Sequence, residues 1–215
     1  AKALTVSGIT ASNKTYDGSA SATLDSTSVT YTGLLSGDTF TGSYSGVFSN
    51  PNVDTGKTVT ITPSYTGADV NNYNVANQST TTADISAKAL TATASASNKT
   101  YNGSTSATTT LTFTGLVGSE TLGQTVGSTF DNKNVGSNKT VTVNSITLAD
   151  GSGLAANYSI SAGQTTTANI SPKSLTVSGI TASDKTYDGN TVATLDATSV
   201  AYSGLVGGDI FNGTY

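Results

Sequence analysis

The chain contains no cysteine, histidine, methionine, tryptophan or arginine. Without Cys there is no disulfide framework and no thiol nucleophile. Without His the commonest general base is gone, and with Cys also missing the familiar nucleophile–base pairs cannot be assembled. The joint absence of Met and Cys leaves neither rung of sulfur oxidation available, which suits an oxidising exterior. Charge is equally thin. Nine lysines against 13 acidic residues give a net charge of −4, and charged residues make up 10% of the chain, against about 25% in ordinary soluble domains. An acidic, sparsely charged chain lacks the basic face that nucleic acid requires. No apolar run approaches the length of a membrane-spanning helix, and the start is unlike a secretion signal. Helix formers are scarce, with a single Glu among them, so helix is disfavoured from the outset.

What is present is repetition. Thr and Ser supply roughly a third of the residues, and Val, Ile, Leu, Tyr and Phe recur among them in short alternating runs, a pattern of order and of strands. Lys14-Thr15-Tyr16-Asp17-Gly18 returns as Lys99-Thr100-Tyr101-Asn102-Gly103 and as Lys185-Thr186-Tyr187-Asp188-Gly189, with the tyrosines 85 and 86 residues apart. Lys2-Ala3-Leu4-Thr5, Lys88-Ala89-Leu90-Thr91 and Lys173-Ser174-Leu175-Thr176 keep the same beat. A fixed long period marks one folding unit in tandem. The repeats are 1–87, 88–172 and 173–215, the third lacking counterparts of residues 47–86 and read as a piece of a longer repeat.

Within one repeat, alternation and β-branched residues place strands at residues 4–9, 29–33, 40–44, 58–62, 73–75 and 81–85. Residues 34–38 are too short for an ordinary helix and leave room for one helical turn. Pro51 and Pro63 are assigned to loops. The expected class is all-β, mostly strand with one short helical turn per repeat, as β-grasp-like or sandwich-like domains placed end to end. The links, Ile85-Ser86-Ala87-Lys88 and Ile170-Ser171-Pro172-Lys173, contain no Gly and are too short to behave as random coil. They predict neighbours held stiffly.

The ordered set Tyr16-Asp17-Gly18, Gly33-Leu34-Leu35-Ser36-Gly37-Asp38, Asn52-Val53-Asp54-Thr55-Gly56-Lys57-Thr58-Val59 and Asn72-Tyr73-Asn74-Val75 resembles the YDG repeats of large bacterial adhesins. These are relatives of the mostly-β-grasp modules of filamentous-haemagglutinin-like exoproteins. The likeness covers both full repeats and the partial third. It implies a secreted or surface-exposed bacterial stalk and no catalytic residues. The second repeat departs from the motif, with Asn102 for Asp and Glu120 where the others have Asp38 and Asp209.

The candidate motif residues are Tyr16, Asp17 and Gly18, Tyr101, Asn102 and Gly103, and Tyr187, Asp188 and Gly189. Each tyrosine is expected to lay its ring on the sheet while its hydroxyl reaches loop backbone. The Asp-Gly and Asn-Gly pairs suit tight turns. Asp17, Asp25, Asp38, Asp54 and Asp69 offer the oxygens a Ca²⁺ ion takes. They lack the dense Asp/Asn alternation of calcium loops, and read as turn caps; no cofactor or metal is expected. A Lys–Asn or Lys–Asp crosslink would need a buried acid, whereas Lys14-Tyr16-Asp17 reads as a surface turn. Asn13-Lys14-Thr15, Asn98-Lys99-Thr100 and Asn157-Tyr158-Ser159 are glycosylation sequons that such a composition produces by chance. The expected partners are neighbouring repeats, with host glycan or protein reached through other regions. The rival is weak multivalent binding by the repeats themselves, with Tyr31 or Tyr65 as the aromatic platform. A third reading is self-association through an exposed strand edge.

Overall fold

Alternation decides which side chains go inward. In the strand Asp54–Thr66 the buried positions are Lys57, Val59 and Ile61, every second residue. In Gly136–Asp150 they are Lys139, Val141 and Val143, the period that a pleated strand imposes. The computed structural model describes residues 1–215 and is almost entirely β, its helical elements being two 3₁₀ turns, Val70–Asn72 and Ala155–Asn157. These turns lie just before the Asn-Tyr tyrosines. Residues 34–38, expected to hold the helical turn, instead form a hydrogen-bonded turn closed by the Asp38 N–H on the Leu35 carbonyl at 3.3 Å.

The chain packs as two compact units whose limits fall inside the repeats. One unit comprises residues 1–92, 113–125 and 147–161; the other comprises 93–112, 126–146 and 162–215. In the first, Lys2–Ser7 lies between Thr30–Thr32, antiparallel, and Tyr73–Ala76, parallel. A five-stranded mixed sheet runs in the order Lys14–Thr15, Thr80–Ser86, Asp54–Thr66, Thr41–Phe48, Ser21–Ala22. Leu4, Phe40 and Tyr73 form one buried cluster, and Val6, Ile9 and Ile61 another. A third joins Tyr16, Phe48, Val59, Ala83 and Ile85 to Leu90 and Tyr158. It crosses the repeat boundary, where Ala87 alone separates Thr80–Ser86 from Lys88–Ala89.

Pro63 is not in a loop. It lies within Asp54–Thr66, opposite Tyr44. The ladder from Thr80–Ser86 ends at Thr60, so that edge of the strand is open at Pro63 and tolerates a residue without an N–H.

A second sheet of the same order has Lys99–Thr100, Thr165–Ser171, Gly136–Asp150, Leu122–Phe130 and Ser106–Ala107 as its strands, all within the second unit except residues 122–125 and 147–150. Phe130, Val141, Ala168 and Ile170 are its core. The third repeat adds two short antiparallel pairs, Thr176–Ser178 with Ala201–Ser203 and Thr181–Ala182 with Leu195–Asp196. Leu175 is 37% exposed, whereas Leu4, its counterpart, is wholly buried. In the first repeat Tyr73–Ala76 covers Leu4, and residues 173–215 hold no counterpart of that strand.

Truncating the same motif position in the two settings should give different results. Leu4→Ala should cost about 2–5 kcal/mol, the range for a buried leucine. Leu175→Ala should cost under about 1 kcal/mol. Urea unfolding of each variant measures both.

Candidate functional site: the joint between repeats

The lysine of each Lys-Thr-Tyr motif holds its own loop. Lys14 Nζ donates to the carbonyls of Ser19 at 2.8 Å and Ser21 at 3.2 Å and pairs with Asp17 at 2.7 Å. Lys99 does the same with Ser104, Ser106 and Asn102, and Lys185 with Asn190, Val192 and Asp188. Asp17, Asn102 and Asp188 each accept the N–H two residues on. One side-chain oxygen suffices for that turn, so Asn102 replaces an Asp without loss. Lys14 also holds the Asp17 carboxyl below the usual carboxylate range, as Lys185 does for Asp188. Gly18, Gly103 and Gly189 all adopt positive φ, at 78°, 77° and 74°, the conformation that favours glycine.

The tyrosine beside this turn looks outward from its own repeat. Tyr16 is 5% exposed, and its hydroxyl donates to Glu120 Oε1 at 2.7 Å, 104 residues away, rather than to loop backbone. Tyr158 donates to the other oxygen of that carboxylate at 2.6 Å and accepts the Val117 N–H at 2.9 Å. The two rings meet edge to face, 5.4 Å apart. Beside them Asn157, 1% exposed, accepts the Val53 N–H at 2.9 Å and donates to Asn52 Oδ1 at 3.1 Å. Val117 lies against Gly18, where a Cβ would approach its Cγ1 to 2.9 Å. Burial, then the Glu120 hydrogen bond and charge, push the Tyr16 phenol up to about 12; burial and Glu120 also raise that of Tyr158.

In the second unit the Tyr101 hydroxyl donates to Asp209 Oδ1 at 3.0 Å, and Lys133 lies 3.8 Å from the same oxygen. Gly103 faces Val206 as Gly18 faces Val117. A cavity of about 480 Å³ in this unit is lined in part by Tyr101, Leu175, Val206, Asp209 and Phe211. Tyr187, the third motif tyrosine, is 94% exposed.

Each of the five candidate calcium ligands accepts a hydrogen bond from a nearby N–H or hydroxyl, Asp17 from the Ser19 N–H. Asp25 caps Thr27, Asp54 caps Thr55, Asp69 accepts the Thr39 N–H, and Asp38 accepts the Tyr73 hydroxyl. No three acidic side chains converge. Lysines outside the Lys-Thr-Tyr motif also reach side-chain amides, Lys57 on Asn50 at 2.8 Å and Lys139 on Asn132 at 2.7 Å. Asp131 lies 2.8 Å from Lys139, which holds its carboxyl below the usual carboxylate range. The sequon at Asn157 is sealed within the joint. Tyr31 and Tyr65 are half-buried in an aromatic cluster with Phe40 and Tyr44. Their hydroxyls bond to Tyr44 and Asn77.

Glu120, Asp209, Asn157 and the Asn52-Val53 pair are the functional residues that sequence reasoning left without a role. Their fixed places in the ordered motif set were the available signal; the pairing itself spans a repeat and has no local signature.

Tyr16→Phe should destabilise the chain by about 1.5–3 kcal/mol, the range for a hydrogen bond to a charged group. Tyr187→Phe should change stability by less than about 0.5 kcal/mol. A double-mutant cycle of Tyr16→Phe with Glu120→Gln, followed by urea unfolding, isolates the coupling.

The joint also sets an alkaline limit. A phenol whose pKa is raised by folding contributes stability that is complete below its ordinary value near 10 and is lost as pH rises through about 12. Stability should therefore fall across that window, and Tyr16→Phe should flatten the fall in unfolding curves collected from pH 9 upward.

The YDG domain family matches residues 1–83, 86–168 and 171–214. No curated protein and no solved structure matches the chain. With three matches in tandem over nearly its whole length, the chain belongs to the YDG domain family.

Proposed function

We propose that these repeats are non-catalytic structural elements of a bacterial cell-surface or secreted adhesin, holding an adhesive region away from the cell. The observation that carries this reading is where the motif tyrosines go. Tyr16 and Tyr101 are spent on the carboxylate of the following repeat, and Tyr31 and Tyr65, which could have offered a flat stacking surface, are packed against Phe40 and Tyr44. Side chains committed to joining one copy to the next add length with each copy and leave little to grip a ligand. Lack of sulfur-containing residues fits an oxidising exterior, and low charge limits non-specific adhesion through the repeats. Attachment to host glycan or protein belongs, on this reading, to other parts of the full adhesin.

Two measurements test it together. The chain applied to glycan and extracellular-matrix arrays should give no saturable binding. Deleting whole repeats from the parent protein, with its adhesive region retained, should lower attachment of cells to a surface while leaving binding by the purified adhesive region unchanged. Saturable binding by the repeats would instead establish the multivalent reading.

A further inference from the structure

The joint has two halves, and the first repeat carries an open copy of the accepting one. In the second repeat that half is Val117, Glu120 and Asn157 beside Tyr158, covered by Tyr16, Gly18, Asn52 and Val53. The corresponding residues of the first repeat are Leu35, Asp38 and Asn72 beside Tyr73. Tyr73 is set as Tyr158 is, its hydroxyl donating to Asp38 Oδ2 at 2.5 Å and accepting the Leu35 N–H at 3.0 Å. The outer side differs. Leu35 is 51% exposed, and Asn72 is exposed and bonded only to Asp69 at 3.5 Å. Asn157 at the same place is 1% exposed. The second carboxylate oxygen of Asp38 receives no phenol.

We infer that Leu35, Asp38 and Asn72 form a docking face for the Tyr-Asp-Gly and Asn-Val loops of another YDG repeat, joined ahead of Lys2 in the same polypeptide. The occupant is specified by the filled example. Its tyrosine hydroxyl would bond to Asp38, its glycine would lie on Leu35, and its Asn-Val pair would bond to Asn72. The link is specified as well. Ala1-Lys2-Ala3-Leu4 is identical to Ala87-Lys88-Ala89-Leu90, the segment by which the second repeat leaves the first. A donor face on one end of a repeat and an acceptor face on the other make a heterologous contact, which extends an array and does not close it.

The test inserts a copy of residues 1–86 ahead of Ala1 and follows amide hydrogen exchange. In the unextended chain, residues 34–38 and 72 should exchange roughly tenfold or more faster than residues 116–120 and 157, the protection that one charge-assisted bond supplies. The extension should close that gap. Tyr16→Phe in the added copy, or Asp38→Ala, should reopen it. The chain is free of cysteine, so Leu35→Cys with Gly18→Cys in the added copy gives a second readout, an intramolecular disulfide. Equal exchange of the two segments in the unextended chain would overturn the proposal. So would a folded extension that leaves residues 34–38 unprotected, or crosslinks that form only between molecules. None of these readouts depends on adhesion, so failure here is distinguishable from failure of the stalk reading.

Discussion

One carboxylate shared by two buried phenols holds neighbouring repeats together. Glu120 has two oxygens, and each receives a tyrosine from a different repeat, Tyr16 from the first and Tyr158 from its own. A phenol is well suited to this use, because it places a donor at the end of a stiff ring that can itself be buried. Bonds to an ionised acceptor are stronger than neutral ones, and the apolar surroundings of Phe48, Leu90 and Leu116 keep water from competing. The same surroundings make separation costly, because it would expose their apolar surface to water. Tyr16 thus belongs to the core of one repeat through its ring and to the next through its oxygen. This is why the hydrophobic cluster runs across the repeat boundary without a break.

Much of the repeat itself was legible in the sequence. Expected strands at 4–9, 73–75 and 81–85 correspond to Lys2–Ser7, Tyr73–Ala76 and Thr80–Ser86, because β-branched alternation acts locally and the turn residues mark its limits. Errors arose where the local rule has an exception supplied by a neighbour. Pro63 reads as a loop residue until the partner strand is seen to stop at Thr60. Lys57 enters the sequence reading only as part of the Asn-Val motif, whereas its place in the inward series of Asp54–Thr66 buries it beside Asn50. The joint was the least legible feature. The motif marks Tyr16 and the acid-bearing turn separately, and nothing local says that the tyrosine of one copy reaches the acid of the next.

Comparison of the copies separates what the joint requires from what the core requires. Tyr31 and Tyr44 bond through their hydroxyls at 3.0 Å in the first repeat, and their counterparts Tyr202 and Tyr215 do so at 2.6 Å in the third. In the second repeat the same positions hold Phe113 and Val126, so both hydroxyls are gone together. Removing a buried pair jointly is close to neutral, whereas removing one member strands the other. The loop turn behaves similarly. Gly56, at φ 59°, is replaced in the second repeat by Asn138 at φ 51°, asparagine being a residue that tolerates the left-handed region. The joint is stricter in chemistry: an acid stands at 38, 120 and 209 in every copy.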